Sequence, residues 1–159
     1  MILIEPDADT SQNRNALKMR DLRSFLRKAA SAARLQGEVS VLLATDASIR
    51  TLNRDFRKKN KPTDVLSFPA DADHPNPKVA GDLAISLDTA RKQAEEHGHP
   101  LQVELKILLL HGVLHLAGYD HESDTGQMAR RESALRKQLG LPVGLIQRSN
   151  AKKSRGRVP

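Results

Sequence analysis

From Leu101 to Ala117 the chain reads Leu-Gln-Val-Glu-Leu-Lys-Ile-Leu-Leu-Leu-His-Gly-Val-Leu-His-Leu-Ala, apolar on almost every side of a helical wheel. Such a helix has no wet face to offer. It must lie at the centre of a fold, with other elements packed around it. The longest apolar run within it, Ile107 to Leu110, is far too short to cross a bilayer.

The end of that helix carries chemistry. His111 and His115 are four residues apart, so their rings project from one helical face, one turn apart. Gly118 can end the helix in a left-handed cap, and the turn Tyr119-Asp120 brings His121 back toward the other two. Three imidazoles leave a fourth coordination position open. That suits a catalytic zinc better than a closed structural one. The spacing matches the H-E-x-x-H-x-x-G-x-x-H motif of zinc peptidases, except that Gly112 replaces the glutamate that serves as base. A mid-helix glycine costs about 0.5–1 kcal/mol relative to alanine. Close approach of a second backbone, or of substrate, would account for it. The remaining histidines, His74, His97 and His99, read as surface residues.

The chain has no cysteine, so any metal must sit on His, Asp or Glu. A cytoplasmic location is compatible with this composition. The N-terminus lacks the charged start and apolar run of a signal peptide. At 159 residues the sequence suits one domain, expected over 1–147, with a basic disordered tail over 148–159. Net charge is +7 and unevenly placed. Residues 14–34 carry seven Lys/Arg against Asp21 alone, residues 50–61 six against Asp55 alone, and residues 148–159 five with no acid. The rest of the chain is therefore net acidic. Segregated positive charge suits a polyanionic partner. Aromatics are confined to Tyr119 and three Phe, so backbone-phosphate contacts are expected rather than base stacking.

Periodicity predicts an α+β fold, a single domain of about four strands and about five helices, with the metal-bearing helix buried at its centre. Strands are expected at Ile2–Ile4, Val39–Leu43, Val65–Phe68 and Leu83–Ser86. Residues 7–13 read as a polar loop. Helices are expected from Asn15 to Leu35, closed by Gly37; from a cap at Asp46 to Phe56, followed by a basic loop from Arg57 to Pro62; from Leu87 to about Glu96; from Leu101 to Ala117; and from Glu122 to Leu139. Short strand-to-helix links favour a mixed, partly parallel sheet.

Several segments together resemble the YbeY family of bacterial rRNA maturation endoribonucleases. His111-Gly112-Val113-Leu114-His115-Leu116-Ala117-Gly118-Tyr119-Asp120-His121 is similar to its signature. Leu52-Asn53-Arg54-Asp55-Phe56-Arg57 resembles its L-N-x-x-[FY]-R. Lys61-Pro62-Thr63-Asp64-Val65-Leu66-Ser67-Phe68-Pro69 and Gly81-Asp82-Leu83-Ala84-Ile85-Ser86 resemble two further family motifs. The likeness spans roughly residues 39–140. It implies a single-domain α+β fold, one zinc ion held by His111, His115 and His121, and a role in ribosomal RNA processing and quality control. It also places the family's functionally required arginine on Arg57.

For such an enzyme, zinc on three neutral imidazoles brings the pKa of a bound water to about 7 and polarises a phosphate oxygen. Arg57 can clamp the scissile phosphate bidentately, and Lys58, Lys59 and Lys61 can track the flanking RNA backbone. Asp120 can orient a ligand or simply form the turn. Two rivals stand beside this reading. A peptidase would need a base that Gly112 does not supply. A non-catalytic, zinc-containing ribosome-assembly factor would bind ribosomal RNA and ribosomal subunits through the same basic faces.

Overall fold

A computed structural model describes residues 1–57, 63–70, 77–120 and 124–142, and of Arg57 the backbone alone. Four strands form one mixed sheet: β1 (Ile2–Ile4), β2 (Glu38–Ala44), β3 (Val65–Pro69) and β4 (Val79–Ser86). Their spatial order is β1-β2-β4-β3. β1 and β2 run parallel, as do β2 and β4, whereas β3 lies antiparallel on the outer side of β4. The parallel pairs follow from helical crossovers, and the short link between β3 and β4 permits the antiparallel one.

Six α-helices are described: α1 (Ser11–Ala16), α2 (Met19–Ala32), α3 (Asp46–Arg57), α4 (Leu87–His97), α5 (Leu101–Leu116) and α6 (Gln127–Leu139). Strand alternation divides the core in two. On one face Ile2, Val41, Leu43, Leu83 and Ile85 meet α2, α4, α5 and α6. On the other, Leu42, Ala44, Leu66, Phe68 and Ala84 meet Ile49 and Leu52 of α3. In α5, Leu105, Ile107, Leu108, Leu110, Val113 and Leu114 are all fully buried. The central helix expected from its all-round apolarity is present, and its apolar surface is shared among four neighbours.

The N-terminal region departs from the periodic reading. Instead of a loop at 7–13 and one long helix from Asn15, a 3-10 turn (Pro6–Ala8) leads into α1, and the chain breaks before α2. Thr10 caps α1 by accepting from the Asn13 N–H. Leu17 is extended and buried, and the side chain of Gln102 on α5 grips Lys18 from both sides. It accepts the Lys18 N–H at 2.9 Å and donates to the Lys18 carbonyl at 3.1 Å. That tertiary contact replaces the hydrogen bonds a continuous helix would need. At the other end, α2 stops at Ala32, well before Gly37. Asp46 does not cap its own helix either. Thr45 does, accepting the Ser48 N–H, while Asp46 Oδ1 accepts from the hydroxyls of Ser86 and Thr89. α6 begins at Gln127 rather than Glu122, with Asp124 accepting the N–H groups of Gly126 and Met128.

Candidate metal centre

α5 delivers His111 and His115 to its last turn because the 3.6-residue period places positions four apart on one face. His111 is buried and His115 is partly exposed, so the pair sits where the core meets solvent. Their Nε2 atoms stand 3.2 Å apart, with the rings inclined at 73°. Two lone pairs held that close repel unless a proton or a cation lies between them. Two nitrogens bound to one tetrahedral zinc at ~2.0–2.1 Å would be separated by about 3.3 Å. The observed spacing therefore fits a shared metal ion.

A carboxylate backs the first ring. Glu132 of α6 is 1% exposed, and its Oε2 lies 3.7 Å from His111 Nδ1. A proton held on Nδ1 toward Glu132 leaves the Nε2 lone pair facing His115, the tautomer that metal ligation needs. The sequence analysis missed Glu132. The available signal was its place on the inward stripe of α6, four residues after Met128 and three before Leu135, both fully buried.

The end of α5 has the geometry of a Schellman cap. The Tyr119 N–H donates to the Leu114 carbonyl and the Gly118 N–H to the His115 carbonyl, both at 3.0 Å, with Gly118 at φ 100°. Tyr119 turns back to pack on the core. Asp120 is exposed, and its carbonyl accepts the Asp124 N–H at 3.0 Å. His121 lies outside the described residues, as do Lys58, Lys59, Lys61, His74 and the tail from 148. Among the described residues no group of three or more potential ligands is assembled. The two helical histidines are thus placed together, while the third ligand keeps only its position in the sequence.

Gly112 has a different reason from the one anticipated. A Cβ there would lie 2.8 Å from both Cδ atoms of Leu83 on β4. The close approach comes from a core side chain, neither a backbone nor a substrate. Position 112 faces the sheet, so a glutamate there would enter the core layer.

Two other histidines also require correction. His99 is not a surface residue: its Nε2 meets Oε1 of the wholly buried Glu104 at 2.6 Å. His97 is partly buried, with Nδ1 2.8 Å from the Gln93 carbonyl and its ring stacked beside His99.

Arg57 ends α3, on the opposite face of the sheet from α5. The far end of β3 links the two. The ring of Phe56, next to Arg57, lies 5.7 Å from that of Phe68. Pro69 pairs with Gly81, where a Cβ would lie 2.7 Å from Leu116, the neighbour of His115. The last turns of α3 and α5 therefore flank one end of the edge strand from its two faces.

Comparison with known proteins agrees with this architecture. Over 125 residues the chain is 54% identical to Endoribonuclease YbeY of Koribacter versatilis (strain Ellin345), covering 79% of this chain and 80% of that protein. It is 54% identical over 123 residues to Endoribonuclease YbeY of Solibacter usitatus (strain Ellin6076), covering 74% and 80% respectively. The solution structure of TM1509 from Thermotoga maritima superposes with a TM-score of 0.57 at 27% identity, over 87% of this chain and 89% of that one. Residues 7–140 match the family model described as Endoribonuclease YbeY, a span that takes in both sheet faces and the histidine pair, and the chain belongs to that family.

Proposed function

We propose that this protein is a zinc-dependent endoribonuclease that cleaves single-stranded ribosomal RNA during the maturation and quality control of ribosomal subunits in the cytoplasm. One zinc ion would be held by His111, His115 and His121. The observation that carries this reading is the 3.2 Å convergence of the His111 and His115 Nε2 atoms at the rim of the core. Membership of the family supports the RNA substrate. Among the described residues no helix is long and apolar enough to cross a membrane.

When bound, the ion would acidify a water molecule and polarise a phosphate oxygen. The chain's own residues would do the rest. Glu132 stands 3.7 Å from His111 Nδ1, beyond hydrogen-bond length, and its negative charge favours a proton on that nitrogen over one on Nε2. His115, partly exposed, leaves the site open to a strand arriving from solvent. Arg57, whose backbone ends α3, would take the scissile phosphate in two parallel hydrogen bonds. Lys58, Lys59 and Lys61 add backbone contacts on either side.

The peptidase reading loses further ground here, because a side chain at position 112 would run into Leu83 of β4. The assembly-factor reading keeps the same RNA-binding surface but needs no turnover. Cleavage of a ribosomal RNA fragment, with and without a chelator and beside a casein control, separates the three. RNA cleavage that stops with chelation and returns with zinc is expected. Intact RNA with digested casein would favour the peptidase. RNA bound but never cut would favour the assembly factor. In His115→Ala the bound zinc should fall to background by elemental analysis, and undiminished zinc would overturn the ligand set.

A further inference from the structure

We propose that the outer face of α2 and α6 is a docking surface for the phosphate backbone of double-helical RNA. The inference rests on the RNA substrate proposed above. The buried side of α2 is Leu22, Phe25, Leu26 and Ala29. By the helical period, Arg20, Arg23 and Arg27 stand opposite that side, with Lys28 on their flank, and all four are exposed. On α6, Met128, Glu132 and Leu135 face inward, while Arg130 and Lys137 project from the far side, exposed. The two helices are stitched together where Arg131 Nη2 donates to the Ala32 carbonyl at 2.7 Å. Between them runs an open groove lined by Arg27, Lys28, Ser31 and Gln138, so the two basic faces adjoin. Glu132 meets His111 from the other side of α6, which puts the histidine pair behind this surface and not within it.

A charged face in water is ordinary, but such faces mix both signs. This one does not. The one acid of α2, Asp21, is drawn to α5, its carboxylate 2.7 Å from Lys106 Nζ and 3.0 Å from Gln102 Nε2. The one acid of α6 is the buried Glu132. Among the described residues none of the six outward cations makes an ion pair. Arg23 and Arg27, four apart, repel each other. Arg20 sits in the first turn of α2, where the helix dipole disfavours a cation. The fold gains nothing from this placement, whereas a polyanion would neutralise it. A lipid surface calls for exposed apolar side chains among the cations. The exposed large apolar residues, Met1, Leu3, Phe56 and Val79, all lie off these two helices. A single strand calls for an open ring on which bases stack. The aromatic of α2, Phe25, is buried, and α6 has none. A duplex, with its phosphates outward and its bases turned in, needs neither.

The full chain is titrated with a labelled blunt RNA duplex at several salt concentrations. One variant combines Arg20→Gln, Arg23→Gln, Arg27→Gln and Lys28→Gln. It should bind the duplex about tenfold more weakly or worse, and its slope of log affinity against log salt should fall by about three to four. Arg130→Gln with Lys137→Gln should lower the slope by about two, and this pair carries the test if the fourfold variant does not fold. The unfolding midpoint should hold or rise, because like charges are removed. Replacing Lys152, Lys153, Arg155 and Arg157 with Gln removes the same formal charge elsewhere and should cost clearly less affinity. Saturated cleavage of a short single-stranded RNA should not change in any of these variants. Wild-type duplex affinity in the α2 variant, or an equal loss in the C-terminal one, would overturn the surface and leave the nuclease reading standing. Tighter binding of polyglutamate or of phosphatidylserine vesicles than of duplex would give the face to an acidic protein or a membrane and overturn it likewise. Duplex binding with the expected slopes but no RNA cleavage would sink the nuclease reading and keep the surface.

Discussion

A buried carboxylate loses several kcal/mol of hydration unless neighbouring groups replace it. Glu132 has accepted that cost at a position where its oxygen faces His111 Nδ1. If the role is to fix the ring for metal, Glu132→Gln should lower zinc affinity about 10- to 100-fold while the helices stay intact. Competition against a chromophoric chelator measures this, and an unchanged affinity would leave Glu132 a packing residue. Gly112 makes the opposite demand, for space. Alanine there would gain helix propensity but press its methyl into Leu83, itself 1% exposed and hemmed in. Overpacking should win, and Gly112→Ala should lose about 1–2 kcal/mol in urea unfolding. Adding Leu83→Ala should cost less than the two single losses together, since the cavity of one takes the methyl of the other. Strict additivity would mean that the glycine answers to something else. Neither Glu132 nor the Gly112–Leu83 contact could be read from composition. The inward stripe of α6 was the sequence signal for Glu132, whereas the neighbour that crowds Gly112, Leu83, shows only in the packing of β4 against α5.

Among elements, those governed by local rules were legible and those decided by distant side chains were not. α5 follows from its all-round apolarity, its end from Gly118, and β1 from an apolar run stopped by Pro6. The break before α2 was invisible because no Gly or Pro marks it; Gln102, far away in sequence, makes it. The start of α3 is a similar case. The Glu5 carboxylate, just past β1, accepts the Thr45 N–H at 3.0 Å and the hydroxyls of Thr45 and Ser48 at 3.0 and 2.8 Å. Burial alone would raise the Glu5 pKa. The hydrogen bonds from Thr45 and Ser48 outweigh it and hold the carboxyl below its ordinary value near 4.5. A carboxylate with a depressed folded-state pKa stabilises fully above its unfolded value, and that contribution is lost as pH falls through the folded one. Glu5→Gln should therefore be less stable than wild type at pH 7, with the gap closing as the solution is taken below about pH 4. Urea midpoints at both pH values test it. A gap that widened in acid would contradict the sign.

For the whole molecule, the decisive quantity is where the positive charge sits relative to the corner at the end of β3. The sequence revealed three basic stretches but not their geometry, because nothing local says that α3 and α5 cover opposite faces and meet at one strand end. That arrangement separates two kinds of cation. Arg57 ends a helix whose last turn is tied to β3 through Phe56 and Phe68, so its backbone is fixed beside the corner. Lys152, Lys153, Arg155 and Arg157 lie in the C-terminal segment beyond the matched family region. A cation held where charge develops alters turnover. Cations elsewhere alter encounter and salt dependence, with effects that fade as ionic strength rises. Arg57→Ala should remove most single-turnover cleavage at saturating RNA, by about 10²-fold or more, with zinc content and unfolding midpoint unchanged. Deleting residues 149–159 should leave saturated turnover alone, weaken RNA binding mildly and flatten its dependence on salt. If the deletion loses turnover at saturation while Arg57→Ala keeps it, the reacting phosphate does not sit at this corner, and the role given to Arg57 passes to the tail.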